Sequence, residues 1–300
     1  MRELFYRLLT VLTRIFGPWA FSIGARTVAL GYFIFKPSRV AVSRDFYRSL
    51  FPERSKVFHW WCSFRQFQNF TSIFLDRFLF QIGKNLTFTF SGRQYAVEAL
   101  RRGEGGIILM SHIGNWEIAA HQLRQGLPDM RLMLIMGRRA KEEIERLQKE
   151  DLMARGVRIV AVDEGGGSPF DLVEAVTFLK GGGFVSMTGD MQWHPHQRAI
   201  EVVFLGRRAW LPEAPHALAL VSGVPLYIFF STATDAGYHF NLSAPIYVRA
   251  ADRRDRPEAV QRSAQAYADA MVNHLRTAPW EWYHFEPFLG PTAAQESPMK

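Results

Sequence analysis

The stretch "ILMSHIGNWEIAAHQL", residues 108–123, sets an imidazole at the end of an apolar run and a carboxylate five positions later. Paired, His112 and Glu117 would make a general base. The carboxylate would hold one ring nitrogen and fix the tautomer, leaving the other nitrogen free to take a proton. A carboxylate so placed also stabilises the imidazolium that forms. The bare H-x4-[DE] pattern is weak: with nine histidines and 28 acidic residues in 300, roughly one match is expected by chance. The chain has two, His112/Glu117 and His196/Glu201. The second lies in "HPHQRAIEVVF", a loop running into a strand with no helix to present the pair. The first follows a buried strand and precedes a helix, and the carboxyl ends of strands are where open α/β sheets bind their ligands.

Spacing sets a condition on this pair. On one continuous helix, residues five apart point about 140° away from each other. If Ile113-Gly114 turn the chain and Asn115 caps the helix, Glu117 can fold back against the imidazole. The competing reading is a polar seam satisfied by hydrogen bonds where strand becomes helix. No G-x-S-x-G elbow, Walker loop, G-x-G-x-x-G fingerprint or H-E-x-x-H motif occurs, so a substrate hydroxyl is the natural proton source.

The elements that must position the pair follow from the pattern. From about residue 86 short apolar runs alternate with helical stretches: "LTFTF", "GGIILMS", "RLMLIM", "VRIVAV", "FVSMTGD", "VPLYIFFST" and "YHFNLSAPIYVR" read as strands. Helices of ordinary length separate most of them, and "PEAVQRSAQAYADAMVNHLRTAP" closes the series as a long amphipathic helix. This alternation predicts an α/β fold with a mainly parallel central sheet flanked by helices. Residues 54–82 predict an aromatic-rich helix within that domain, which runs over 54–300. Trp60, Phe64, Phe67, Phe74 and Phe78 share one face of this helix, either as core packing or as the wall of a groove for an alkyl chain.

Residues 1–53 form a helical N-terminal region of different character. Ten bases against three acids fall in the first 56 residues, a net +7 out of a formal +8 for the whole chain. In "LFYRLLTVLTRIF", Leu4, Leu8, Leu12 and Ile15 share a face while Arg7 and Arg14 lie opposite. The longest uncharged stretch, Ile15–Ala25, has 11 residues, short of the roughly 20 a span needs. A basic amphipathic helix on an anionic membrane surface, broken near Gly17-Pro18, is expected. The alternative is a helix packed on its own core. No nucleic-acid motif accompanies the charge, so nucleic acid is not an expected partner. The single cysteine, Cys62, excludes an intrachain disulfide framework and fits a reducing compartment.

"SHIGNWE", placed after an apolar strand, resembles the active-site motif of the lipid A biosynthesis late acyltransferases, within the wider lysophospholipid acyltransferase superfamily. "GRRAKEEIERLQ", "FVSMTGDMQ" and "FLGRRAWLPEAPHALALVSGVPLYIFF" are similar to later blocks of that family. The resemblance implies transfer of a fatty acyl group from acyl carrier protein, or from coenzyme A, to a hydroxyl of a lipid or glycolipid such as a lipid A precursor. It implies no cofactor or metal, and a peripheral or monotopic site on the cytoplasmic face of the inner membrane. Carried over, His112 is the general base and Glu117 its orienting partner. Arg138 or Arg139 suits a phosphate, Asn115 and Arg207 join the substrate-binding set, and Asp190 supports the site or packs beneath it. "GDMQWHPH" and the C-terminal "WEWYHFEPF" depart from the family's usual residues, which leaves the acceptor open. Two rival classes stay on the table. One is a metal-dependent hydrolase using Asp190, His194 and His196, with His112 or His121. The other is a non-enzymatic membrane adaptor in which His112 is idle.

Overall fold

The structure, a computed structural model, describes residues 13, 17–81, 86–137, 153, 156–162, 169–193 and 197–292. The described residues begin with three helices, α1 (Pro18–Phe35), α2 (Pro37–Leu50) and α3 (Lys56–Gln81). Proline stands at the start of both α1 and α2, where its missing N–H and fixed φ suit the first helical turn. The expected break at Gly17-Pro18 is the start of α1, with Gly17 at φ 94°. The basic amphipathic segment 4–16 lies outside the described residues, apart from Thr13.

A seven-stranded sheet follows. Its members are β1 (Thr87–Ser91), β2 (Gly106–Met110), β3 (Leu132–Gly137), β4 (Arg158–Val162), β5 (Phe184–Thr188), β8 (Leu226–Thr234) and β9 (Gly237–Leu242), in the order β1-β9-β8-β2-β5-β3-β4. Every neighbouring pair is parallel except the β8–β9 hairpin. Helices α4 (Arg93–Arg101), α5 (Trp116–Gly126), α6 (Pro169–Lys180), α7 (Ala214–Ser222) and α8 (Arg256–Thr277) complete the layers. The mainly parallel α/β architecture read from the sequence is therefore the one observed.

Strand β2 shows why these residues make a central strand. Ile107 and Leu109 enter one core with Val185, Leu226, Leu218, Tyr267 and Met271. Ile108 enters the other with Ala96, Ala99, Leu132, Phe184 and Tyr227. An apolar side chain at every position is what a strand covered on both faces requires.

One piece of the sheet plan differs from expectation. "FLGRRAWLP", which is not among the strands read from the sequence, turns the chain into a second strand. Strands β6 (Ala199–Phe204) and β7 (Arg207–Pro212) form an antiparallel hairpin, extended by β10 (Leu289–Thr292) into a separate three-stranded sheet. The connection is Leu205-Gly206, at φ 53° and 73°, the doubly positive loop that matches the twist of a two-residue hairpin.

The aromatic helix α3 is as long as the sequence suggested, and its stripe is packed. Phe33 of α1 meets Trp60, Phe64 and Phe67 edge-on, and Phe21 stacks on Phe78. Phe67 and Phe70 touch Phe285 in the C-terminal segment. Helix α1 is apolar on both sides. Phe21, Ala25 and Ala29 are buried, while Trp19, Ile23, Ile34 and Phe35 are each more than half exposed. Among the described residues no helix is long and apolar enough to cross a membrane.

Candidate active site

Sheet register assembles the site. Strands β2 and β5 are parallel neighbours, paired from Gly106 with Phe184 to Met110 with Thr188. Gly189 N–H donates to the Met110 carbonyl at 2.8 Å, which carries the pairing one step past the strand ends. Two residues beyond Met110 is His112, and two beyond Thr188 is Asp190. Equal overhang on adjacent parallel strands brings the two side chains to the same point.

There the Asp190 carboxylate receives three donors. His112 Nδ1 lies 2.9 Å from Oδ1, the His112 main-chain N–H donates to Oδ2 at 2.8 Å, and the indole N–H of Trp282 donates to Oδ2 at 2.7 Å. Burial of Asp190 by itself pushes its carboxyl up. The charge of His112, the hydrogen bond from its ring, the more distant His284 and the main-chain hydrogen bond outweigh that, so the group sits below the ordinary carboxylate range. A charged acceptor at Nδ1 selects the tautomer with the proton there and leaves Nε2 with a lone pair. The His112 side chain is 25% exposed and that of Asp190 is 0% exposed, so the imidazole reaches solvent and the carboxylate that holds it does not. Trp193 and His284 flank the imidazole at 6.1 and 6.4 Å between ring centroids.

Glu117, expected against His112, has a different partner. Its Oε2 is 2.9 Å from Nε of Arg77, in an ion pair with side chains 4% and 13% exposed. The turn that the sequence pointed to is present. Gly114 takes φ 65°, and a Cβ there would lie 1.8 Å from the Ser231 carbonyl oxygen, so only glycine fits. Asn115 caps α5, its side chain accepting from Ile118 N–H. What the local reading could not supply is Arg77, near the end of α3, which meets Glu117 from a helix 40 residues away in sequence.

The other expected residues divide. Asn115 is fully buried, and its amide also lies 3.5 Å from the Ile73 carbonyl and the Tyr238 hydroxyl. Arg207 donates to Asp45, Ser49 and the carbonyls of Leu289 and Gly290, tying the β6–β7 hairpin to α2 and β10. None of those contacts is with His112 or Asp190. Arg138, Arg139, His194 and His196 lie outside the described residues. For the metal alternative, both Asp190 oxygens already serve protein donors, and among the described residues no three potential ligands cluster.

A family model described as bacterial lipid A biosynthesis acyltransferase matches residues 81–288. The chain belongs to that family. It is an enzyme, an acyltransferase of lipid A biosynthesis, and the family implies an acyl donor and a lipid A precursor as acceptor. A comparison with curated proteins found no match. The matched span takes in both His112 and Asp190 and runs through the C-terminal segment carrying Trp282.

Three residues of this acyltransferase's site escaped the sequence reading in whole or part. The sequence points to Asp190 as support, but not as the partner of His112. Trp282 stands 92 residues beyond Asp190, and no local pattern links them. His284 is stacked on Trp282 at 5.1 Å. Burial drives its pKa down to about 4, with the Asp190 charge opposing, so it is neutral near pH 7. An apolar pocket lined by Phe90, Ile108, Leu123, Phe229 and Phe240 lies against α4 and α5. Its lining includes neither His112 nor Asp190.

Proposed function

We propose that this chain moves a fatty acyl group from an acyl thioester to a hydroxyl of a lipid A precursor, with His112 as general base and Asp190 as the carboxylate that orients it. The observation carrying this reading is the His112–Asp190 pair at the ends of two adjacent parallel strands, with Nδ1 held and Nε2 open. In the reaction, Nε2 accepts the proton of the acceptor hydroxyl as its oxygen attacks the thioester carbonyl. The tetrahedral intermediate then collapses, the carbon–sulfur bond breaks, and the imidazolium returns the proton to the departing thiolate. No acyl-enzyme forms. Asp190 stays ionised throughout and steadies the imidazolium while it exists.

The donor is acyl carrier protein in preference to coenzyme A, on the strength of the resemblance in "SHIGNWE" and the blocks after it. The enzyme works at the cytoplasmic face of the inner membrane, docked through its N-terminal helices. Trp19, Ile23, Ile34 and Phe35 on the outer side of α1 support that placement, because a helix apolar on both faces needs a second apolar surface besides its own core. The basic N-terminal sequence would meet anionic headgroups.

Mass spectrometry of lipid A from cells with and without the chain tests the assignment. Loss should leave a species one acyl group lighter. Wild-type chain should restore the missing group, and His112→Ala should not. Unchanged lipid A, or full restoration by His112→Ala, overturns it.

A further inference from the structure

Asp190 Oδ2 is shared by two donors, and one of them comes from the far end of the chain. The segment after α8 returns to the catalytic turn and pairs with it. Gly114 N–H donates to the Glu281 carbonyl and Tyr283 N–H to the His112 carbonyl, so that Ile113 and Trp282 face each other in an antiparallel bridge. The bridge fixes the main chain of Trp282 one residue from the base. Its carbonyl accepts from Gln66 of α3, whose own side-chain oxygen accepts from Ser43 of α2.

The side chain of Trp282 is 2% exposed and packs edge-on to Phe46 and Phe288. An apolar ring of any kind would fill that space. Only tryptophan also sends an N–H 2.7 Å to the buried carboxylate. A buried, ionised carboxylate with an unfilled lone pair is costly, and one with a second fixed donor cannot swing away from Nδ1. We propose that Trp282 is a positioning residue of this acyltransferase: delivered by the bridge to Ile113, its indole N–H locks the Asp190 carboxylate that orients His112. The proposal rests on the general-base reading of His112.

The experiment uses the full chain in mixed micelles, with a fatty acyl thioester of acyl carrier protein as donor and a lipid A precursor as acceptor. The initial rate is followed against pH for Trp282→Phe and Trp280→Phe, alongside thermal melting. Trp280 is the control: it lies two residues away, packed on Trp61. Without the indole donor the carboxylate is more basic and holds the imidazolium more tightly. Trp282→Phe should therefore move the acid limb of kcat/KM up by about half a pH unit, and the carboxylate left free to swing from Nδ1 should lower kcat about tenfold. Trp280→Phe should move neither. A site-specific replacement of Trp282 by benzothienylalanine, which keeps the ring shape and lacks the N–H, should reproduce the Trp282→Phe kinetics, and it serves if that variant folds poorly. A wild-type kcat and acid limb in the benzothienyl variant overturns the proposal. Full activity in His112→Ala would instead overturn the base assignment beneath it.

Discussion

Two buried carboxylates follow His112 in the chain, and they have different partners. Asp190, at the end of β5, holds the imidazole of His112 and two further donors. Glu117, in the first turn of α5, faces Arg77 of α3. Sequence proximity favoured Glu117 as the partner of the base, since it is five residues away and Asp190 is 78. Parallel pairing of β2 with β5 reverses that order in space. Neighbouring strands with matched ends bring remote residues together more surely than a tight turn reaches back on itself. On the proposed reading, the carboxylate that holds the imidazole belongs to the chemistry, while Glu117 joins the aromatic helix α3 to the turn after β2.

Substitutions should separate the two by kind as well as by size. Asp190→Asn should cost about 10²–10⁴-fold in kcat, measured as acyl transfer at saturating substrates. Glu117→Ala should act on stability instead. Removing one partner of a buried pair leaves an uncompensated charge, at a cost of about 3–5 kcal/mol in urea denaturation. The double replacement Arg77→Met with Glu117→Leu should recover most of that stability and keep most of the acyl-transfer rate, and the kept rate is what a catalytic role for the glutamate would not allow.

A third carboxylate sharpens the contrast, because among the described residues no ion pair holds it charged. Burial pushes Glu281 up to about 7, against the pull of the Ala233 N–H that it accepts. A carboxyl raised in the folded state contributes stability that is complete below about pH 4.5 and lost as pH rises through 7. Glu281→Gln should therefore melt like wild type at acid pH and be more stable at pH 8, by about 3 kcal/mol. The smallest effect belongs to the cap that starts α5: Asn115→Ala should cost about 1 kcal/mol, visible as a lower melting temperature.

The sequence carried the local half of this site. The continuous apolar character of "GGIILM" marked a strand covered on both faces, and Gly114 with Asn115 marked the turn and cap that follow. Those features put His112 at a strand end, in the structure as in the reading. Strand order was not legible, because nothing within β2 or β5 says that they are neighbours with β3 set outside them. Without that order, the nearest carboxylate in sequence took the place of the nearest in space. The C-terminal "WEWYHFEPF" reads in the sequence only as a departure from the family's usual residues. Its contribution depends on a bridge to Ile113 formed across 169 residues of chain, and a segment with no helical or alternating period gives no sign of such a return. The hairpin at Leu205-Gly206 was missed for a simpler reason: only one of its two loop residues is glycine, and the other takes a positive φ that leucine rarely adopts.

The imidazole itself offers the most direct test of which carboxylate orients the base. Long-range proton–nitrogen NMR of His112 at pH 8 reads which ring nitrogen carries the proton. The account predicts a proton on Nδ1 and a bare Nε2, unchanged in Glu117→Gln and disturbed in Asp190→Asn. A proton on Nε2 in the wild-type chain, or a tautomer that changes with Glu117 and not with Asp190, would contradict it.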